Sequence, residues 1–111
     1  MITTSSSTIA GKRVVKTLGM VTGNSVRARH VGKDILAVFK NIVGGEIEEY
    51  TKLLAESREQ SLDRMIARAT EFGANAVVDV RFGTSQIMGA AAEILAYGTA
   101  VVVEDDPGKN V

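Results

Sequence analysis

At 111 residues the chain has room for one domain, and 45% hydrophobic with 23% charged residues is ordinary globular material. Thirteen basic residues balance 13 acidic ones, so there is no basic surplus of the kind that grips a phosphate backbone, and nucleic acid is not the expected partner. Cysteine and tryptophan are absent, which excludes a disulfide framework, a thiolate nucleophile and a thiolate metal site.

The first seven residues, MITTSSS, open β-prone and then turn polar, and read as a first strand or a frayed end. In residues 12–22, KRVVKTLGMVT, Val14, Leu18 and Met20 alternate with Val15 and Val21. Apolar residues on both faces mean a strand covered on both sides, at least in its second half. Gly23 and Asn24 mark a turn or bulge. Residues 25–32, SVRARHVG, fit either a continuing strand or an irregular loop. Residues 33–43, KDILAVFKNIV, carry Ile35, Leu36, Phe39 and Ile42 at helical spacing, and Gly44–Gly45 would end a short helix there.

Residues 44–73 predict a long helix. Ile47, Tyr50, Leu53, Leu54, Leu62, Met65, Ile66, Ala69 and Phe72 recur at spacings of three and four. Glutamates open it, Arg64 and Arg68 lie toward its end, and Gly73 suits a left-handed cap. About 27 helical residues would span roughly 40 Å, against a radius of gyration of about 13 Å for a compact chain of this length. Either the helix breaks at SREQS, residues 57–61, or part of it packs on another subunit.

In residues 75–87, NAVVDVRFGTSQI, a dry set (Ala76, Val78, Val80, Phe82) alternates with a mostly polar one (Val77, Asp79, Arg81, Gly83, Ser85), which predicts a half-buried strand. Residues 88–91, MGAA, read as a flexible connection. Residues 92–104, AEILAYGTAVVVE, form a final strand that is apolar on both faces, with Gly98 marking a bulge or a close backbone approach. Residues 105–111 read as a disordered tail. The architecture is α+β: a mainly antiparallel sheet with one short and one long helix on one face. Apolar surplus on the last strand, together with the over-long helix, points to a homo-oligomer.

Four pieces resemble a known family: VVKTLGMVTG (14–23), IVGGEIEEYTKLLAESREQSLDRM (42–65), FGANAVVDVRF (72–82) and EILAYGTAVVVE (93–104). In this order they look like the small YbjQ-like proteins of bacteria and archaea, whose family label is heavy-metal binding, and the resemblance spans residues 1–104 as a single domain. It implies an α+β fold and a cytoplasmic homopentamer with strands around a central barrel or channel. The family has no established activity, and no ligand set is carried over with the resemblance.

Candidate chemistry is sparse. A soft or borderline metal wants thiolate or imidazole, and the chain holds one histidine, His30. A ring would repeat His30 about an axis, and Glu48 and Glu49 could hold a hard cation; the plainer reading is a loop histidine and a solvated helix end. Asp79 and Arg81, with Ser85, are candidates for a small polar ligand or for lining a channel. Their plainer reading is an ion pair between strands or subunits. No oriented nucleophile, phosphate loop or dinucleotide fingerprint is present. No apolar run approaches 18 residues and no signal peptide opens the chain, so a cytoplasmic protein without a membrane partner is expected. The leading function is an oligomeric module binding a small ligand or metal ion. The competing readings are a scaffold for another protein and an enzyme with an intersubunit site.

Overall fold

The computed structural model describes residues 1–27, 46–87 and 91–109, leaving aside side chains 26–27, 46–51, 53, 86–87, 91–92 and 109. Strand β1 (Ile2–Thr3) is followed by β2 (Lys12–Arg27), helix α1 (Glu46–Glu71), β3 (Ala76–Ile87) and β4 (Ala91–Asp105). The sheet order is β1-β3-β4-β2. β4 pairs antiparallel with β2 and β3, as expected of a mainly antiparallel sheet, and the two-residue β1 runs parallel to β3, which makes the sheet mixed. The expected short helix, residues 33–43, lies outside the described residues. The 25–32 segment is strand at least to Arg27.

α1 is unbroken through SREQS. Ser57, Ser61, Met65 and Ala69, each four residues on, are all buried and form the stripe that faces the sheet. Serine is small enough to let the helix settle close to the strands. The Ser61 hydroxyl donates to the Ser57 carbonyl at 2.8 Å and lies 2.9 Å from the Ile94 carbonyl, so its polarity is satisfied without water. Ser25 Oγ on β2 donates to Gln60 Oε1 at 2.7 Å. The helix ends as expected at Gly73, with φ of 88°. There the Gly73 amide donates to the Thr70 carbonyl and the Ala74 amide to the Ala69 carbonyl, both at 3.0 Å, the pair of bonds that closes a Schellman cap.

The sheet is covered on both sides, by different means. Under α1, Val21, Val77, Val80, Ala96 and Ala100 join Met65 and Ala69 in one core. On the opposite face Ala76, Val78, Val101 and Val103 form a second, smaller core, against which Ile9 packs from the segment between β1 and β2. The two-faced apolar pattern of β4 is thus half resolved within one subunit. Past the end of β4 the Asp106 amide donates to the Gly11 carbonyl at 2.9 Å. Pro107–Lys109 then forms a turn of 3-10 helix within the stretch read from sequence as a tail.

Strand β3 does not alternate as its sequence predicts. Its register against β4 slips between Val78 and Arg81, and Asp79 takes a left-handed φ of 55°. One extra residue reverses the phase of everything before it. Val77 therefore joins Val80 in the core beneath α1, while Ala76 and Val78 turn to the other side.

Candidate functional site

The bulge is where the N-terminal segment meets β3. The Thr4 amide donates to the Val77 carbonyl, Val80 to the Thr4 carbonyl, and Asp79 to the Ser6 carbonyl, all at 3.0–3.1 Å. Residues 4–8 brace themselves: Thr4 Oγ1 and Ser6 Oγ lie 2.8 Å apart, and Ser6 Oγ donates to the Thr8 carbonyl at 2.6 Å. Short hydroxyl side chains bond nearby backbone in this way and hold irregular segments in shape. A left-handed non-glycine residue is strained, and aspartate tolerates it better than most. The bonds from residues 4–7 are what hold Asp79 there.

Both charged residues of the bulge are anchored to this segment. Ser7 Oγ donates to Asp79 Oδ1 at 2.7 Å. One guanidinium nitrogen of Arg81 donates to the Ser5 carbonyl at 2.7 Å and to the Val80 carbonyl at 3.0 Å. No ion pair joins Asp79 to Arg81 among the described residues, so their plainer sequence reading is not realised within the subunit. Instead both line an open hollow of about 360 Å³ with Met20, Tyr97, Gly98 and Thr99. Register places these residues: Arg81 stands opposite Tyr97, and Met20 opposite Thr99. Tyr97 and Thr99 are two apart on β4 and share its outer face. That contribution is absent from the sequence reading. Its signal was the polar pair Tyr97 and Thr99 inside an otherwise apolar strand, which becomes informative only once β3 is laid beside it.

Ser85 belongs elsewhere. It lies four residues beyond Arg81, roughly 13 Å along the strand, and is 3.3 Å from Glu93 Oε1; Asn24 Nδ2 donates to the other oxygen of Glu93 at 3.3 Å. The structure therefore places Asp79 and Arg81 on one hollow, unpaired, and separates Ser85 from them. His30 lies outside the described residues, and Glu48 and Glu49 are placed in the first turn of α1 without their side chains. Among the described residues no three His, Cys, Asp or Glu side chains converge. With no cysteine in the chain, the described part of one subunit does not fit a closed site for a soft metal.

A second hollow of about 280 Å³ lies between the N-terminal segment and the outer face, beside Ile9, Lys12 and Arg13. Its cations are already partnered, Lys12 by Asp105 and Arg13 by Glu104. The hydrogen bond from Lys12 and its charge hold the Asp105 carboxyl below the usual range. Such a pair supports folding above the ordinary carboxylate pKa, and its support fades as pH falls through the lowered one. No described helix is long and apolar enough to cross a membrane.

Comparison with known proteins gives a consistent family. A family model described as "Putative heavy-metal-binding", of the YbjQ type, matches residues 1–104. A UPF0145 protein from Archaeoglobus fulgidus is 60% identical over 101 residues, covering 91% of this chain and 94% of that protein. One from Dehalococcoides mccartyi is 56% identical over 104 residues, covering 94% of this chain and all of that protein. Among solved structures, a protein of unknown function from Pediococcus pentosaceus, assigned to the DUF74 family, aligns with a TM-score of 0.44 and 14% identity over 94% of this chain and 98% of its own.

Proposed function

The chain belongs to the YbjQ family of small proteins, whose activity is not established, and from that premise we propose a cytoplasmic, homo-oligomeric module that binds a small polar molecule. The observation that carries the reading is the bulge itself. Opposite charges at Asp79 and Arg81 face one hollow without pairing to each other, on backbone held in a strained conformation by residues 4–7. Each charge is hydrogen-bonded to the N-terminal segment and keeps further hydrogen-bonding capacity toward the hollow, and backbone strain clusters at binding sites. A volume near 360 Å³ suits a small ligand. Assembly, a pentamer by family resemblance, would close the open side of the hollow with a neighbouring subunit.

A metal ion is the second reading, favoured by the family's description. It would need donors repeated about a ring axis, with His30, Glu48 and Glu49 as the material. Native mass spectrometry of untagged protein, with elemental analysis on the same sample, tests both. A ring carrying an extra organic mass supports the small-molecule module. Stoichiometric metal without organic mass transfers the function to the axis. An empty monomer overturns both.

A further inference from the structure

The geometry points to the chemical class of the ligand: a zwitterionic α-amino acid with an apolar side chain, its ammonium on Asp79 and its carboxylate on Arg81. The inference rests on the binding-module reading and deepens it. Three features of the hollow select this class.

The charges come first. One nitrogen of Arg81 is used on backbone carbonyls, and the rest of the guanidinium fork has no hydrogen bond among the described residues. A fork of this kind matches a carboxylate in two-pronged fashion. Asp79 accepts from Ser7 through Oδ1 only, so Oδ2 is open to an ammonium donor. An anion alone would leave the Asp79 carboxylate facing like charge, and a cation alone would face Arg81. A molecule bearing both charges satisfies both residues.

Spacing comes second. Asp79 and Arg81 line one hollow without forming an ion pair, which leaves room between them for a head that carries both charges on one carbon and makes one hydrogen bond of about 2.8 Å at each end.

The rest of the lining comes third. Met20 is 72% exposed and Tyr97 37% exposed, and both border the hollow. The methionine thioether chain is adaptable and the phenol ring flat. Together they offer an apolar wall for an aliphatic side chain, with the Thr99 hydroxyl at its margin. A nucleotide would stack on the ring, but its phosphates would face the Asp79 carboxylate, and a neutral sugar would match neither charge.

The test uses intact protein with methionines labelled at the methyl carbon, titrated with three probes. They are L-leucine, 4-methylpentanoate (leucine without the ammonium) and 3-methylbutylamine (leucine without the carboxylate). We expect L-leucine to shift the Met20 methyl signal, with the buried Met65 as internal control, and to bind at least tenfold more tightly than either half-molecule. Asp79→Asn should remove the preference for leucine over 4-methylpentanoate; asparagine also accepts left-handed backbone, so the bulge is retained. Arg81→Gln should remove the preference over 3-methylbutylamine. If a half-molecule binds as tightly as leucine, the class is overturned while a binding site remains. If no probe moves Met20, the class is overturned too, and the wider reading is decided by the co-purifying mass in the native spectrum.

Discussion

Gly23 is the residue on which the docking of α1 depends. A Cβ built there would stand 2.2 Å from the Met65 amide nitrogen and 2.3 Å from the Ser61 carbonyl oxygen. Both are helix backbone, so no side chain can swing aside; the whole helix would have to lift. Gly23→Ala should therefore destabilise the fold by about 3 kcal/mol, at the upper end of ordinary overpacking, read as a lower urea midpoint. Gly83→Ala is the control, because nothing lies within 4 Å of its Cβ position, and its unfolding free energy should stay within about 0.5 kcal/mol of the parent. Equal midpoints for the two variants would show that α1 does not approach β2 as described. The same residue shows what the sequence could and could not reveal. Gly23 with Asn24 reads as a turn or bulge, since glycine beside asparagine punctuates a strand. In the fold it lies within a continuous strand, because the reason for glycine there is a helix some 40 residues later. Asp79 was legible as a polar strand residue, but not as a bulge: nothing local marks it, and residues 4–7 impose it.

Among the elements, α1 is the best read from sequence and its middle the worst. Its bounds, Glu46–Glu71, fall within the glycines that were expected to frame it. Of the two alternatives for so long a helix, a break at SREQS or packing on another subunit, the break is the one the fold removes; it came from counting serine as polar. Its small size decides otherwise, because a serine whose hydroxyl bonds the preceding turn can be buried. β4 poses the opposite problem, since a strand apolar on both faces needs two covers, and only one of them is visible as a periodic element. The other is an irregular segment pinned at Ile9. Entry into β3 is held by a side chain acting as backbone. Asn75 Nδ2 donates to the Val103 carbonyl at 2.9 Å, and the Val103 amide donates to Asn75 Oδ1 at 2.8 Å, extending the ladder one step beyond Ala76. Asn75→Ala removes both bonds, about 1–2 kcal/mol at roughly 1 kcal/mol each. Hydrogen exchange locates the effect: the Val103 amide should exchange at least tenfold faster, while Ala96 and Ala100 keep their protection. Unchanged exchange at Val103 would mean the bridge is not formed in solution.

The described residues form an extended body. Its Cα radius of gyration is 17.8 Å, against about 13 Å for a compact chain of 111 residues. β2 runs for 16 residues and, among the described elements, pairs only with β4. β1 and the segment after it cover β3 as far as Val80, and among the described residues no strand pairs the rest of that edge. Unpaired strand edges invite pairing with another chain. Val14, Val15, Phe72 and Phe82 add large apolar side chains at 46–56% exposure. Among the described residues both edges of the sheet offer unpaired backbone, and a ring in which each subunit offers one edge and accepts the other would cover both. If folding and assembly are coupled in this way, stability depends on protein concentration through mass action. For five subunits, each tenfold increase in concentration adds about 1 kcal/mol per subunit. The Tm should then rise by several degrees per decade between about 1 and 100 µM, since about 1 kcal/mol moves the Tm of a domain this small by roughly 4–8 °C. A Tm that holds constant over that range would mean the subunit folds alone, with its apolar edges exposed to water. The hollow at Asp79 would then have to bind its ligand without a neighbour to close it.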